Sequence, residues 1–300
     1  MINIQLLIAF LLFNCFQIRA QNTILLKSVI EQYISTKNAI VGVSVSGNNE
    51  SDTFSINGDQ HFPLQSVFKF HIALALLSKI DEGKFSLTQK ITIRKKDLLP
   101  NLYSPIREKY PNGTTLTIAE ILKYTVSESD NVGCDILLQL IGGPRVVNDF
   151  FIKRNVKNIS IKINEQTMQA NWDEQFRNWT TPKAANEVLK IFYINKPKIL
   201  SQASYDFIWA TMKGTTTGVD RLKGLLPKTV TIAHKTGTSG TNKQGIAAAV
   251  NDIGIIFLPD GRYFFISVFV TNSKEDDATN DAIIAGISSK CYDYFLKNNK

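Results

Sequence analysis

Apolar side chains along this chain recur with two distinct periods. Over residues 24–37, Ile24, Leu25, Val29, Ile30, Tyr33 and Ile34 return every three or four positions, which predicts an amphipathic helix. Period two replaces it over Ile40–Ser46 and Thr53–Asn57, two predicted strands joined by a turn at Gly47-Asn48-Asn49. Helical periods then run through the middle of the chain. They cover Val67–Glu82, Ile118–Thr125, Asn131–Ile141, Pro144–Arg154, Pro182–Ile194, Gln202–Met212 and Gly218–Leu225. Thr181 before Pro182 reads as a helix start, a capping hydroxyl followed by a proline that needs no partner. Strands return at Thr229–His234, Ala247–Leu258 and Tyr263–Val270, and Asn280–Leu296 closes the chain as a helix. Pro259-Asp260-Gly261 is a turn sequence, so the last two strands should form a hairpin.

Strands at both ends and helices between them imply an α/β plus all-α fold. One antiparallel sheet, built from both chain ends and flanked by terminal helices, carries an inserted helical domain. The expected boundaries are 21–62 and 208–300 for the α/β part and 63–207 for the helical part. A cleft between the parts is the expected site.

The first twenty residues stand apart. Ile4–Phe13 is an apolar run too short to span a bilayer, and Ala20 is a small residue at a cleavage position. Residues 1–20 are therefore expected to be a signal peptide, with the mature chain starting at Gln21 in a periplasmic or secreted location. Cleavage removes Cys15. Cys134 and Cys291 remain, each within an apolar helical pattern, and are expected as separate buried thiols. No later segment approaches 18 unbroken apolar residues, so no stable membrane insertion is expected.

Composition narrows the function further. An apolar fraction of 44% supports a large core and excludes wholesale disorder. The balance of 34 basic and 26 acidic residues gives a net charge of +8. The basic residues are scattered, and the densest run, Arg94-Lys95-Lys96, ends at Asp97, so a nucleic-acid partner is not expected. His61, His71 and His234 lack zinc-ligand spacing and read as structural; neither metal nor other cofactor is implied.

Three short motifs carry candidate chemistry. Ser66-Val67-Phe68-Lys69 places an amine one helical turn from a hydroxyl, where it can take the hydroxyl proton. Taken alone it is more economically read as a capping serine followed by a surface lysine. Ser129-Asp130-Asn131 offers a hydroxyl and an amide, or simply a capping turn. Lys235-Thr236-Gly237 follows a β-branched strand, with a cation for an anionic substrate and a glycine for close backbone approach.

Together and in this order, the three match the set found in class A β-lactamases and penicillin-binding proteins. With Leu102-Tyr103-Ser104-Pro105, Thr217-Gly218 and Asn251-Asp252-Ile253-Gly254, the chain resembles a class A serine β-lactamase along nearly its whole mature length. The resemblance implies Ser66 as nucleophile, Lys69 or Glu165 as its base, and Ser129 as proton relay. It implies Glu165, 36 residues after Ser129, as the base that activates deacylating water. It assigns the oxyanion hole to the backbone N–H groups of Ser66 and Thr238. Substrate binding falls to Asn131, Lys235, Thr236, Gly237 and Thr238, with Arg221 as a second cation and Tyr103 as a wall. The implied partners are small β-lactams, and a monomer is the family default.

The chain departs from the commoner pattern in the loop around Glu165. Gln169 stands where an asparagine is usual, and Ile163 and Asn178 replace an Arg–Asp ion pair. Both partners are missing together, which avoids a stranded buried charge. With Gln65 and the long Thr238–Gly245 turn, these departures resemble the extended-spectrum branch of PER and VEB type and imply a roomier loop. Two rivals share the motifs: a D-alanyl-D-alanine peptidase, and a β-lactam sensor that stays acylated. Glu165 argues against the first, and the second would be expected to carry a transmembrane signalling segment, which the sequence does not offer.

Overall fold

The computed structural model describes residues 22–47 and 52–297. The expected leader, its cleavage point and Cys15 lie outside the described residues, as does most of the expected Gly47-Asn48-Asn49 turn. Helix α1 occupies residues 22–34. Strands β1 (Ile40–Ser46) and β2 (Thr53–Ile56) follow, then the two-residue β3 (Phe62–Pro63) and helix α2 (Phe68–Asp81). The middle of the chain holds β4 (Lys90–Arg94), α3 (Pro105–Lys109), β5 (Gly113–Thr117), α4 (Ile118–Ser127), α5 (Asn131–Ile141) and α6 (Pro144–Ile152). After β6 (Ile159–Ser160), α7 (Glu165–Met168) and β7 (Trp179–Thr180) come α8 (Pro182–Ile194) and α9 (Gln202–Lys213). Strands β8 (Ile232–Thr238), β9 (Val250–Phe257) and β10 (Tyr263–Thr271) and helix α10 (Asp277–Lys297) end it.

The main sheet has the order β2-β1-β10-β9-β8, with every pair antiparallel. The first and last portions of the chain meet at β1 and β10, where Ile40 pairs with Thr271 and Ser46 with Phe265. The sheet is buried on both faces. Along β10, Phe265 and Phe269 join the core shared with the helical part, while Phe264, Ile266, Val268 and Val270 join the core under α1 and α10. Period two therefore sorts one strand between two cores rather than between core and water.

Helix α2 lies at the centre of the helical part. Every residue from Phe68 to Ser78 is buried, as a helix apolar on all sides requires. Its neighbours are capped as their sequences dictate. Thr117 accepts from Glu120 N and Glu120 reaches back to Thr117 N, while the Thr181 hydroxyl accepts from Ala184 N ahead of Pro182.

Four expectations need correction. Residues 218–225 form successive turns, not a helix. Gly218 sits at φ +65°, outside the helical region, and Gly224 packs so close to the Asp220 carbonyl that a Cβ would lie 2.4 Å from its oxygen, so both glycines serve turns here. The strand expected over Thr229–His234 runs instead from Ile232 to Thr238, which puts Lys235-Thr236-Gly237 inside a strand. The helix expected from Val67 begins as a 3-10 turn, Gln65–Val67, with the α-helix starting at Phe68. The β4–β5 hairpin and the small β3-β7-β6 sheet stand where only helices were expected. Cys134 and Cys291 are both buried and unbridged, as expected. Among the described residues no helix is long and apolar enough to cross a membrane.

Candidate active site

Ser66 in the 3-10 turn and Lys69 in the first turn of α2 come together because side chains three apart lie on one side of continuous helical backbone. Lys69 Nζ donates to Ser66 Oγ at 2.7 Å, to Ser129 O at 2.8 Å and to Asn131 Oδ1. The ammonium is fully buried and lies 2.8 Å from Glu165 Oε1 as an ion pair. That approach is not aligned as a hydrogen bond, so Oε1 keeps free acceptor capacity. An unpaired charge at this depth costs several kcal/mol, so Lys69 and Glu165 sustain each other.

Ser129 stands between the two lysines. Its Oγ accepts from Lys235 Nζ at 2.9 Å and lies 3.5 Å from Lys69 Nζ. Lys235 is also fully buried and donates to Thr236 O. Burial and the nearby Lys69 charge hold the Lys235 ammonium well below its ordinary pKa, against the opposing charges of Asp252 and Glu165. A lysine in that state is primed for an anionic group.

At the site itself Gln65 at φ +45° and Ser129 at φ +61° take the left-handed region without being glycine. Such residues cost on the order of 1–3 kcal/mol each and persist where the surroundings fix them. For the Ser129 segment, the fixing residue is Asp130. Its carboxylate accepts from Ser104 Oγ, Ile106 N and Gly133 N at 2.7–2.8 Å, and burial raises its pKa. For the Ser66 turn it is Asn251, whose Nδ2 donates to Pro63 O and Leu64 O. Gln65 Nε2 adds a bond to Gln175 Oε1 in the loop beyond Glu165.

A cleft of about 450 Å³ opens over these groups. Ser66, Ser129, Asn131, Thr236, Gly237 and Thr238 line it, with Gln169 from the loop and the half-exposed Tyr103 as a wall. Strand β8 lies so close to the Ser66 turn that a Cβ on Gly237 would come within 2.7 Å of Leu64 O. Arg221 stands behind the cleft rather than in it. Its guanidinium donates to Thr238 Oγ1, Gly237 O and Asn251 O, and pairs with Asp281 at 2.7 Å. A larger groove of about 930 Å³ lies on the far side of the Glu165 loop, and none of Ser66, Lys69, Ser129 or Glu165 lines it.

The loop departures resolve into neutral contacts. Asn178, fully buried, accepts from Lys162 N and Ile163 N and donates to Ile163 O, a clamp without charge. Asp135 binds the Glu165 segment directly, accepting from Glu165 N, Gln166 N and Asn164 Nδ2. Sequence reasoning missed Asp135 and the cleft-lining Asn101, and it quoted Thr217 and Asn251 for the resemblance without giving either a role in the site. Thr217 Oγ1 bonds Thr236 Oγ1 at 2.6 Å, which gives the quoted Thr217-Gly218 pair its place beside the third motif. His71 is buried and His61 stacks on Trp179, structural positions as expected for both. His234 bonds Asp252 beneath Lys235.

A family model described as the β-lactamase enzyme family matches residues 25–295. β-Lactamase VEB-1 of Pseudomonas aeruginosa is 56% identical over 267 residues, 89% of each chain. Extended-spectrum β-lactamase PER-1 of the same species is 42% identical, over 95% of this chain and 92% of that protein. The crystal structure of TLA-1 extended-spectrum β-lactamase superposes with a TM-score of 0.89 at 50% identity, over 92% of this chain and all of that one.

Proposed function

The chain belongs to the β-lactamase enzyme family, class A, and from that premise we propose how its own residues hydrolyse the β-lactam ring. Ser66 Oγ attacks the lactam carbonyl carbon, and Lys69 Nζ, 2.7 Å away, takes the hydroxyl proton after passing its own to Glu165. The backbone N–H groups of Ser66 and Thr238 receive the developing oxyanion. Loss of one such donor typically costs ~3 kcal/mol of barrier. The lactam C–N bond then breaks. Ser129, bonded to Lys235, delivers a proton to the departing nitrogen and is reprotonated from Lys69, 3.5 Å away, which takes back its proton from Glu165 and leaves that group a carboxylate. Lys235, Thr236 and Thr238 hold the substrate carboxylate, with Arg221 reaching it through Thr238; Gly237 admits the substrate backbone, Asn131 bonds its amide, and Tyr103 walls the cleft.

Deacylation falls to Glu165. A water adds to the ester carbonyl, its proton passes to the carboxylate, and Ser66 leaves with a proton restored. General-base assistance is typically worth ~10² to 10⁴ in rate. We further propose that the substrates include bulky cephalosporins. Support comes from the neutral Asn178 clamp and the position of Gln169, Ser239 and Gly240 along the cleft.

The observation that carries this reading is the Ser66–Lys69–Glu165 array at hydrogen-bond distance in a buried site. A turnover count with a chromogenic cephalosporin tests it. The protein should open hundreds of molecules per chain, S66A none, and E165Q about one before stalling. A single equivalent opened by the unaltered protein would instead indicate a penicillin-binding protein or sensor.

A further inference from the structure

We propose that the groove on the far side of the Glu165 loop binds an amphipathic anion, a free alkyl chain of medium length ending in a carboxylate. The proposal goes beyond the hydrolytic reading and does not depend on it, since none of Ser66, Lys69, Ser129 or Glu165 lines this groove. A volume of about 930 Å³ is that of a small-molecule site, where an apolar lining carries a few placed polar groups. The apolar lining is a stripe of α5. Val132, Ile136 and Leu140 recur every four residues and so share one side of the helix. Leu99, from the segment between β4 and α3, lines the same groove. Ile136, Leu140 and Leu99 are only half-buried, so the fold leaves part of this apolar surface in water. At 1.5 Å per residue the stripe is ~12 Å long, the reach of an alkyl chain of about ten carbons.

Charge selects the head group. Arg94, Lys96, Lys162 and Arg177 all line the groove. The two arginines are engaged, Arg94 Nε with Asp97 at 3.3 Å and Arg177 Nη1 with Glu174 at 2.6 Å. Lys96, in the turn after β4, and Lys162, in the loop before α7, have no ion-pair partner among the described residues, and both are exposed. The carboxylates of the lining are spent elsewhere. Asp97 accepts from Arg94 N and Nε, and Asp135 from three N–H donors of the chain entering α7. A carboxylate at the rim therefore meets two unanswered ammonium groups while its chain covers the α5 stripe. One stripe and two free cations fit one chain with one head. A second copy of this protein is the poorer occupant, because at net +8 it brings positive charge to a positive rim.

The test is a titration of the purified protein with decanoate, kept below its aggregation concentration. Binding is followed by calorimetry and by the methyl NMR signals of Ile136, Leu140 and Leu99. Those signals should shift saturably, and high salt should weaken the binding. Decanamide, the same chain without the charge, should bind about tenfold more weakly, and K96Q/K162Q should lose about tenfold for decanoate. Both lysines are exposed, so the double variant should keep the thermal midpoint of the unaltered protein. Absence of a saturable shift would overturn the proposal. Shifts confined to the methyls of Thr236 and Thr238 would do the same, since they place the carboxylate in the substrate cleft. Equal binding of decanamide, or an unaltered affinity in K96Q/K162Q, would leave an apolar crevice with no head-group site. Capture by vesicles of anionic lipid without any response to decanoate would make this face a membrane contact and refute the free ligand.

Discussion

His71 is the clearest case of a residue whose chemistry is spent on the fold. It lies on α2 among Phe70 and Phe151, with Nδ1 3.3 Å from Val67 O and Nε2 without a partner. Burial lowers its pKa to about 4, opposed by the Val67 carbonyl. A depressed folded pKa means that the unfolded chain binds the proton first as pH falls. The native state is therefore fully favoured above pH ~6.5 and loses this share as pH falls toward 4. The loss at pH 4.5 is roughly 2–3 kcal/mol. H71L should flatten that part of the acid limb. Urea unfolding of both proteins at pH 7 and pH 4.5 measures it, and an equal loss in H71L would refute the assignment. At this scale the sequence was most legible for residues inside a motif. Ser66, Lys69, Ser129 and Glu165 were named from spacing and resemblance, and they converge on one ammonium. Asp135 was not, and Asn251 was quoted without a role, because most of their partners are backbone N–H and C=O groups that leave no mark on the sequence.

At the scale of elements, the site depends on how closely β8 approaches the turn carrying Ser66. A Cβ on Gly237 would meet Leu64 O at 2.7 Å, Gln65 Cβ at 3.1 Å and Val67 Cγ2 at 3.2 Å. The first is a backbone carbonyl, which cannot swing aside as a side chain does. G237A must then push strand and turn apart by a fraction of an ångström. That spreads the two N–H groups assigned to the oxyanion, a displacement that typically costs up to ~10² in rate. Overpacking should also lower stability by about 1–3 kcal/mol. Single-turnover acylation of G237A should fall tens-fold or more, and acylation at the unaltered rate would mean that the contact does not set the donors. Helices with full periods were read from sequence with ends good to a few residues. The errors fell where the periods are short. KITIR and GTTLT are each five residues long, and their pairing into β4–β5 is a contact between distant positions. Residues 218–225 look helical by composition, yet two glycines there serve close approach instead of helix.

The whole molecule explains why its chemistry cannot be separated from its ends. The order β2-β1-β10-β9-β8 places strands from both ends of the chain side by side, and the helical part between them supplies Ser66, Lys69, Ser129 and Glu165. This arrangement was legible in advance, since strands at both ends and helices between leave few alternatives that close a sheet. Its consequence falls on α10. That helix buries Ile283, Ile284, Ile287, Cys291, Tyr292 and Phe295 against the face of the sheet that also carries Val43, Val45, Ile266 and Val268. It also brings Asp281 to Arg221, which bonds both β8 and β9. Burial of large apolar side chains is worth roughly 1.5–3 kcal/mol each, so these six contribute on the order of 10 kcal/mol before any exposed sheet face is counted. A domain's whole stability is about 5–15 kcal/mol. Removing residues 277–300 should therefore abolish the fold rather than weaken it, although no residue placed at the reacting centre is lost. The truncated chain should show no cooperative thermal transition, rapid proteolysis and no turnover. A cooperative melt with residual hydrolysis would mean instead that the helical part and its motifs stand without the face that α10 covers.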